Sequence, residues 1–126
     1  MVPLQMDNER LLYILRDTVL AEVRSDQPDL SMRQLAVVLV VYQTEEPQTV
    51  RGLAASLNIQ KPAITRALDR LEEIDLARRK VDPRDRRSII VERTGTGDAM
   101  LKRLKDAMAE AEVRWIDVPE RQRSIA

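Results

Sequence analysis

The chain has 126 residues, 44% of them hydrophobic, with 21 basic and 21 acidic residues and a formal net charge of zero. That length suits one domain, and at this size roughly two-thirds of the unfolded surface can be buried. Cysteine and histidine are both absent, which removes disulfides, thiolate zinc sites, cysteine nucleophiles, thiol-based redox sensing and the usual general base.

No apolar run reaches the length of a membrane span. Met1 to Arg10 carries no basic region followed by an apolar stretch, so no secretory signal is expected and a cytoplasmic protein is the default.

In chain order, Asp7 to Arg24 holds Leu11, Leu12, Ile14, Leu15, Val19, Leu20 and Val23, a helix with a broad apolar face. Ser25-Asp26-Gln27-Pro28-Asp29 is turn chemistry and breaks it. Ser31-Met32-Arg33-Gln34 fits a capping box, with Leu30 and Leu35 spaced as a hydrophobic staple. The following run from Leu35 to Tyr42 is rich in valine and has strand propensity. The cap signals and helical neighbours favour a buried helix, ended by Glu45-Glu46-Pro47.

Thr49 can cap a short helix through Leu57, and Asn58-Ile59 makes a tight turn. Pro62 then suits the first turn of the next helix, where a missing amide hydrogen costs little. In that helix Ile64, Leu68, Leu71 and either Ile74 or Asp75 form one stripe, with Ala63, Thr65, Arg66, Asp69 and Arg70 outside it. Two short helices joined by a brief turn, the second polar near its start, make a helix-turn-helix unit. Ala77 to Val81 and Ser88 to Arg93 read as strands flanking a charged turn, Asp82 to Arg87.

Thr94 can cap a last helix, in which Gly95 and Gly97 weaken the first turn and Asp98 favours the positive end. Leu101, Leu104, Met108, Ala111, Trp115 and Val118 alternate steps of three and four, a narrow seam as in a coiled coil. The seam either packs on the first helix of its own chain or meets a second subunit; Trp115 near its end favours the second. Pro119 stops the helix, and Glu120 to Ala126 reads as a polar tail.

The predicted fold is mainly α with a small β-hairpin: a winged helix-turn-helix domain with N- and C-terminal dimerisation helices. The whole chain, 1–126, forms one domain, with a DNA-binding core over 31–94 and dimerisation helices over 7–24 and 98–118. Charge is polarised within it. Seven basic and three acidic residues lie between Arg78 and Arg93, a local net charge of +4 that leaves −4 for the rest. Such a hairpin either orients the molecule toward a polyanion or is a solvated, salt-bridged surface.

Several strings resemble the multiple-antibiotic-resistance regulator (MarR) family of bacterial winged-helix proteins over roughly Leu30 to Leu104. The strongest is Asp82-Pro83-Arg84-Asp85-Arg86-Arg87, similar to the family's wing signature Asp-x-Arg-Asp-x-Arg. Leu53-Ala54-Ala55-Ser56-Leu57-Asn58-Ile59, Thr65-Arg66-Ala67-Leu68-Asp69-Arg70-Leu71-Glu72 and Thr94-x-x-Gly97 add to it. Each string alone is weak; in this order and spacing they are specific.

The resemblance implies a homodimer with interlocked terminal helices, among whose residues Leu12, Leu15, Leu101, Leu104, Met108 and Trp115 are the candidates. It implies a recognition helix, Lys61 to Ile74, in a major groove of a pseudo-palindromic operator, and a wing in the adjoining minor groove. By that resemblance Arg87 is the minor-groove residue, with Asp85 bracing its guanidinium, and Arg84 and Arg86 lie near phosphates. Thr65 and Arg66 are the base-edge candidates, with Lys61 at the start of the helix and Arg70 nearer the backbone. The chemistry agrees, since an arginine fork matches guanine's acceptor edge and is favoured in narrow minor grooves.

Three departures stand out. Gln60 replaces the usual small N-capping residue, Arg93 stands where the family commonly has leucine, and the chain is short after Trp115. A dimeric, sequence-specific transcriptional regulator, a repressor, is the leading expectation. The alternative is a winged helix that binds an acidic protein partner instead of DNA. No catalytic constellation, metal site or cofactor is expected. Many family members release DNA on binding a small, often phenolic effector; here such a pocket would draw on aliphatics, Met6 or Met108, Tyr13 or Tyr42, and Trp115.

Overall fold

A computed structural model describes residues 7–119, so Met6 and the tail from Glu120 lie outside the described residues. Five helices and a three-stranded antiparallel sheet follow one another as α1 (Asn8–Arg24), α2 (Met32–Gln43), β1 (Gln48–Thr49), α3 (Val50–Leu57), α4 (Lys61–Glu73), β2 (Arg78–Asp82), β3 (Asp85–Glu92) and α5 (Gly95–Trp115). Capping chemistry sets most of these boundaries. Asp7 accepts from the Glu9 amide at the start of α1. Ser31 accepts from the Gln34 amide at 3.2 Å while the Gln34 side chain accepts from the Ser31 amide at 2.8 Å, a complete capping box. Thr49 accepts from the Gly52 amide at 2.9 Å and starts α3.

The chain divides into two compact units: Leu30–Leu101, and the two flanks up to Asp29 and from Lys102 onward. In the first unit, Val37, Val38, Leu53, Ile64, Leu68 and Leu71 are the largest fully buried side chains. Each such burial is worth about 1.5–3 kcal/mol relative to exposure. The valine-rich run is helical despite its strand propensity, because a capped start and the burial of Val37, Val38 and Val41 outweigh the cost of β-branching.

The sheet differs from a simple hairpin. Its order is β1-β3-β2, with Gln48 opposite Val91 and Thr49 opposite Ile90, so two residues ahead of α3 add a third strand. The wing turn is also tighter than the six-residue turn expected from the sequence. β3 starts at Asp85, and Asp82 pairs with Asp85 across a two-residue loop, Pro83-Arg84. The reason is local: the Asp82 carboxylate accepts from the Arg84 amide at 2.9 Å and Asp85 accepts from the Arg87 amide at 3.1 Å.

A polar knot closes this unit. The Tyr42 hydroxyl donates to the Leu76 carbonyl at 2.6 Å and accepts from the Thr94 amide at 3.0 Å. Thr94 donates its hydroxyl to the Asp75 carbonyl at 2.6 Å, and the same oxygen accepts from the Gly97 amide at 3.0 Å, starting α5. Arg93 turns back onto α2, donating to the carbonyls of Val41 at 3.0 Å and Thr44 at 2.7 Å, with its guanidinium 5.7 Å from the Tyr42 ring centroid. It satisfies carbonyls that the end of a helix leaves unpaired.

In the second unit, contacts between α1 and the later part of α5 run from Tyr13–Trp115, with ring centroids 5.3 Å apart, to Glu22–Arg103 at 3.0 Å, so the two segments are antiparallel. Asp17 pairs with Arg114 at 3.0 Å, and Arg10 pairs with Glu112. The coiled-coil-like seam of α5 is largely covered: Leu101, Ala111 and Trp115 are buried, Leu104 and Val118 are half-buried, and Met108 is exposed. At the Trp115 end of the seam, Tyr13 of the same chain packs against the indole with the rings tilted by 51°. Met108 and Val113 of α5 are exposed, and an exposed apolar face also lies on α1. Leu12, Leu15, Val19 and Val23 are 61%, 57%, 47% and 63% exposed, and their spacing puts them on one side of that helix.

Candidate nucleic-acid interface

The α3–turn–α4 unit presents its second helix by burying one stripe of it. Ile64, Ala67, Leu68 and Leu71 are buried, so the remaining faces of α4 stay outward. Asn58 makes the turn in a left-handed conformation, φ 53°, which asparagine tolerates better than most residues. Gln60 stands at the N-cap but makes no side-chain cap, and Pro62 occupies the first turn. Lys61 lies beside a shallow hollow that Ala54, Ala55, Asn58, Ile59 and Gln60 complete.

Beside the buried stripe α4 carries two others, the first of them half-covered at Thr65 and Glu72. Lys61, Thr65, Asp69 and Glu72 follow one another at steps of four, four and three; Arg66, Arg70 and Glu73 form the next stripe. Lys61 and Arg66 are exposed, and among the described residues no ion pair or side-chain hydrogen bond engages them. Thr65 is half-buried. Arg70 differs: it donates to Glu73 at 3.1 Å, which tethers its guanidinium along the helix.

At the wing, Arg84, Arg86 and Arg87 are exposed. Arg87 lies 3.6 Å from the Asp85 carboxylate, with 93% of its side chain open to solvent. The same Asp85 oxygen accepts the Arg87 amide, so one carboxylate holds the backbone and lies beside the guanidinium. Arg84 sits at the turn itself, with its amide held by Asp82.

Two other arginines of the basic hairpin are turned inward to structural partners. Arg93 caps α2 through the Val41 and Thr44 carbonyls. Arg79 of β2 donates from Nε to Glu72 and from its terminal nitrogen to Asp69, both on α4. Burial opposes its charge, but hydrogen bonds and attraction from Asp69 and Glu72 win, and the Arg79 pKa is raised above the usual arginine value. Sequence reasoning missed this cluster. Its signal was the spacing of Asp69 and Glu72 on the stripe of Thr65, an acidic pair that needs a cation.

The dimerisation candidates separate by exposure: Leu12, Leu15 and Met108 are open, Leu104 is half-buried, and Leu101 and Trp115 are buried within the protomer. No helix among the described residues is long and apolar enough to cross a membrane.

A helix-turn-helix packed against an antiparallel sheet with a protruding two-residue hairpin turn is a winged helix-turn-helix fold. Residues 30–89 match the model of the MarR family, so this segment is similar to that family. Solved structures agree along most of its length. The transcriptional regulator Tm0710 from Thermotoga maritima is 19% identical with a TM-score of 0.70, covering 90% of this chain and 79% of its own. A crystal structure of MarR is 26% identical with a TM-score of 0.58, covering 89% and 77%. A point mutant of MepR from S. aureus, bound to an oligodeoxyribonucleotide, is 20% identical with a TM-score of 0.69, covering 91% and 80%.

Proposed function

We propose that this protein is a dimeric, sequence-specific DNA-binding regulator that represses transcription in the cytoplasm. The observation that carries the reading is the set of unengaged cations on the outward face of α4 and on the wing: Lys61 and Arg66 on the helix, Arg84 and Arg86 on the hairpin, with Arg87 beside Asp85. In this reading α4 enters a major groove, where Thr65 and Arg66 meet base edges, and the wing places Arg87 in the adjoining minor groove. Arg70, Arg84, Arg86 and Lys61 neutralise phosphates and supply most of the affinity, while the few base contacts supply the selectivity.

Dimerisation is supported by the uncovered face of α1, where Leu12, Leu15, Val19 and Val23 leave a contiguous apolar strip in solvent. Two copies then read inverted half-sites about one helical turn apart. The DNA-bound MepR structure supports this use of the fold, and the description of Tm0710 as a transcriptional regulator supports the role in transcription.

The test is a duplex titration at several salt concentrations, with fragments selected from genomic DNA and with random duplexes. Binding that falls steeply with salt and separates selected from random sequence is the expected result. Absence of duplex binding at low salt overturns it and favours an acidic protein partner for the wing. Repression is tested by transcription from a promoter that contains the selected site, which the protein should lower.

A further inference from the structure

Asp69 and Glu72 pose an electrostatic problem. They continue the stripe of α4 that starts with Lys61 and Thr65, so in the proposed complex they lie on the side of the helix turned toward the groove. Two unscreened carboxylates there would repel the phosphate backbone. Both are bound by one residue: the Arg79 guanidinium donates to Asp69 with one nitrogen and to Glu72 with another. Arg79 is the more buried partner, with its side chain 26% exposed against 59% for Asp69 and 33% for Glu72. Its side chain projects from β2, opposite Val91, so it reaches α4 from the root of the wing. The fork geometry of a guanidinium suits it to two carboxylates at once, which a lysine ammonium matches less well.

We propose that Arg79 acts on DNA binding indirectly, by masking the Asp69 and Glu72 carboxylates on the groove-facing stripe of α4. It is not itself a phosphate contact. This rests on α4 being the recognition helix. Masking lets the helix keep an acidic pair that ties it to the wing without presenting that charge to DNA.

The experiment compares the intact protein with three variants: Arg79→Ala, Asp69→Asn/Glu72→Gln, and the triple variant that combines them. Duplex affinity is measured at several salt concentrations, with thermal melts alongside. Arg79→Ala should weaken binding roughly tenfold, with the slope of log affinity against log salt unchanged because no phosphate contact is lost. The triple variant should regain most of that loss, since the exposed carboxylates are gone. Asp69→Asn/Glu72→Gln should bind somewhat tighter than wild type, and this arm decides the matter if Arg79→Ala fails to fold.

A salt slope that drops by about one on Arg79→Ala, without recovery in the triple variant, would make Arg79 a direct contact and overturn the proposal. So would Arg79→Ala binding like wild type, or Asp69→Asn/Glu72→Gln binding no better than wild type. Wild-type protein that binds no duplex at low salt would remove the DNA reading itself, and this inference with it.

Discussion

A Cβ built on Gly97 would lie 1.6 Å from the hydroxyl oxygen of Tyr42 and 2.9 Å from the carbonyl oxygen of Leu76. The glycine is the space that lets Tyr42 reach across to Leu76 and Thr94. Gly95, two residues earlier, has no atom within 4 Å of such a Cβ. The two glycines at the start of α5 therefore have opposite expectations. Gly97→Ala should destabilise the protein by about 1–3 kcal/mol, the usual cost of overpacking. Gly95→Ala should stabilise it by about 0.4–1 kcal/mol through the unfolded chain. Urea melts of both variants check the contrast.

Arg93 lies within the basic hairpin by sequence but caps α2 in space. Arg93→Ala should lower stability by about 1 kcal/mol, the order expected for losing exposed hydrogen bonds to the Val41 and Thr44 carbonyls. It should leave the salt dependence of DNA binding unchanged. Arg84→Ala and Arg86→Ala should each reduce that dependence by about one unit and leave the melting temperature nearly alone. The same two measurements on all three variants separate structural from DNA-facing arginines.

Arg66→Ala and Arg87→Ala should each weaken binding to a selected duplex by about 1–3 kcal/mol. The losses should be smaller on random duplex, because base contacts carry the selectivity. Titrations in which both variants match wild type would remove these assignments.

The open face of α1 predicts the assembly state. Leu15→Glu combined with Val19→Glu puts two charges in the strip formed by Leu12, Leu15, Val19 and Val23. Sedimentation should move from dimer toward monomer, and affinity for a two-half-site duplex should fall with it. An unchanged sedimentation coefficient would place the contact elsewhere.

Local chemistry made much of this fold readable in advance. Ser31 with Gln34, Thr49, Pro62 and the Thr94 cap on the Gly97 amide each act through neighbours a few residues away, so sequence spacing carries their meaning. The stripe of Ile64, Leu68 and Leu71 was legible for the same reason. What was hidden depends on contacts distant in the chain. The two-residue strand at Gln48 exists only because β3 offers it a partner at Val91 and Ile90. Tyr42 takes its role from Leu76 and Thr94, and Arg93 takes its role from α2. The seam on α5 was visible as a pattern, but periodicity does not say what meets a face, and the tilted contact of Tyr13 with Trp115 could not be read from it. In the candidate site, charge pattern marked the wing correctly as basic. It could not separate the solvent-facing Arg84, Arg86 and Arg87 from Arg79 and Arg93, whose guanidinium groups are spent on neighbours.

The loop of Pro83 and Arg84 is staked at both roots by aspartates that hold backbone amides, and proline fixes one of its torsions. Such a finger arrives at its target already shaped, so little ordering entropy is surrendered on association. The corollary is intolerance to length: one inserted residue would pull the tip out of the register that these two aspartates set.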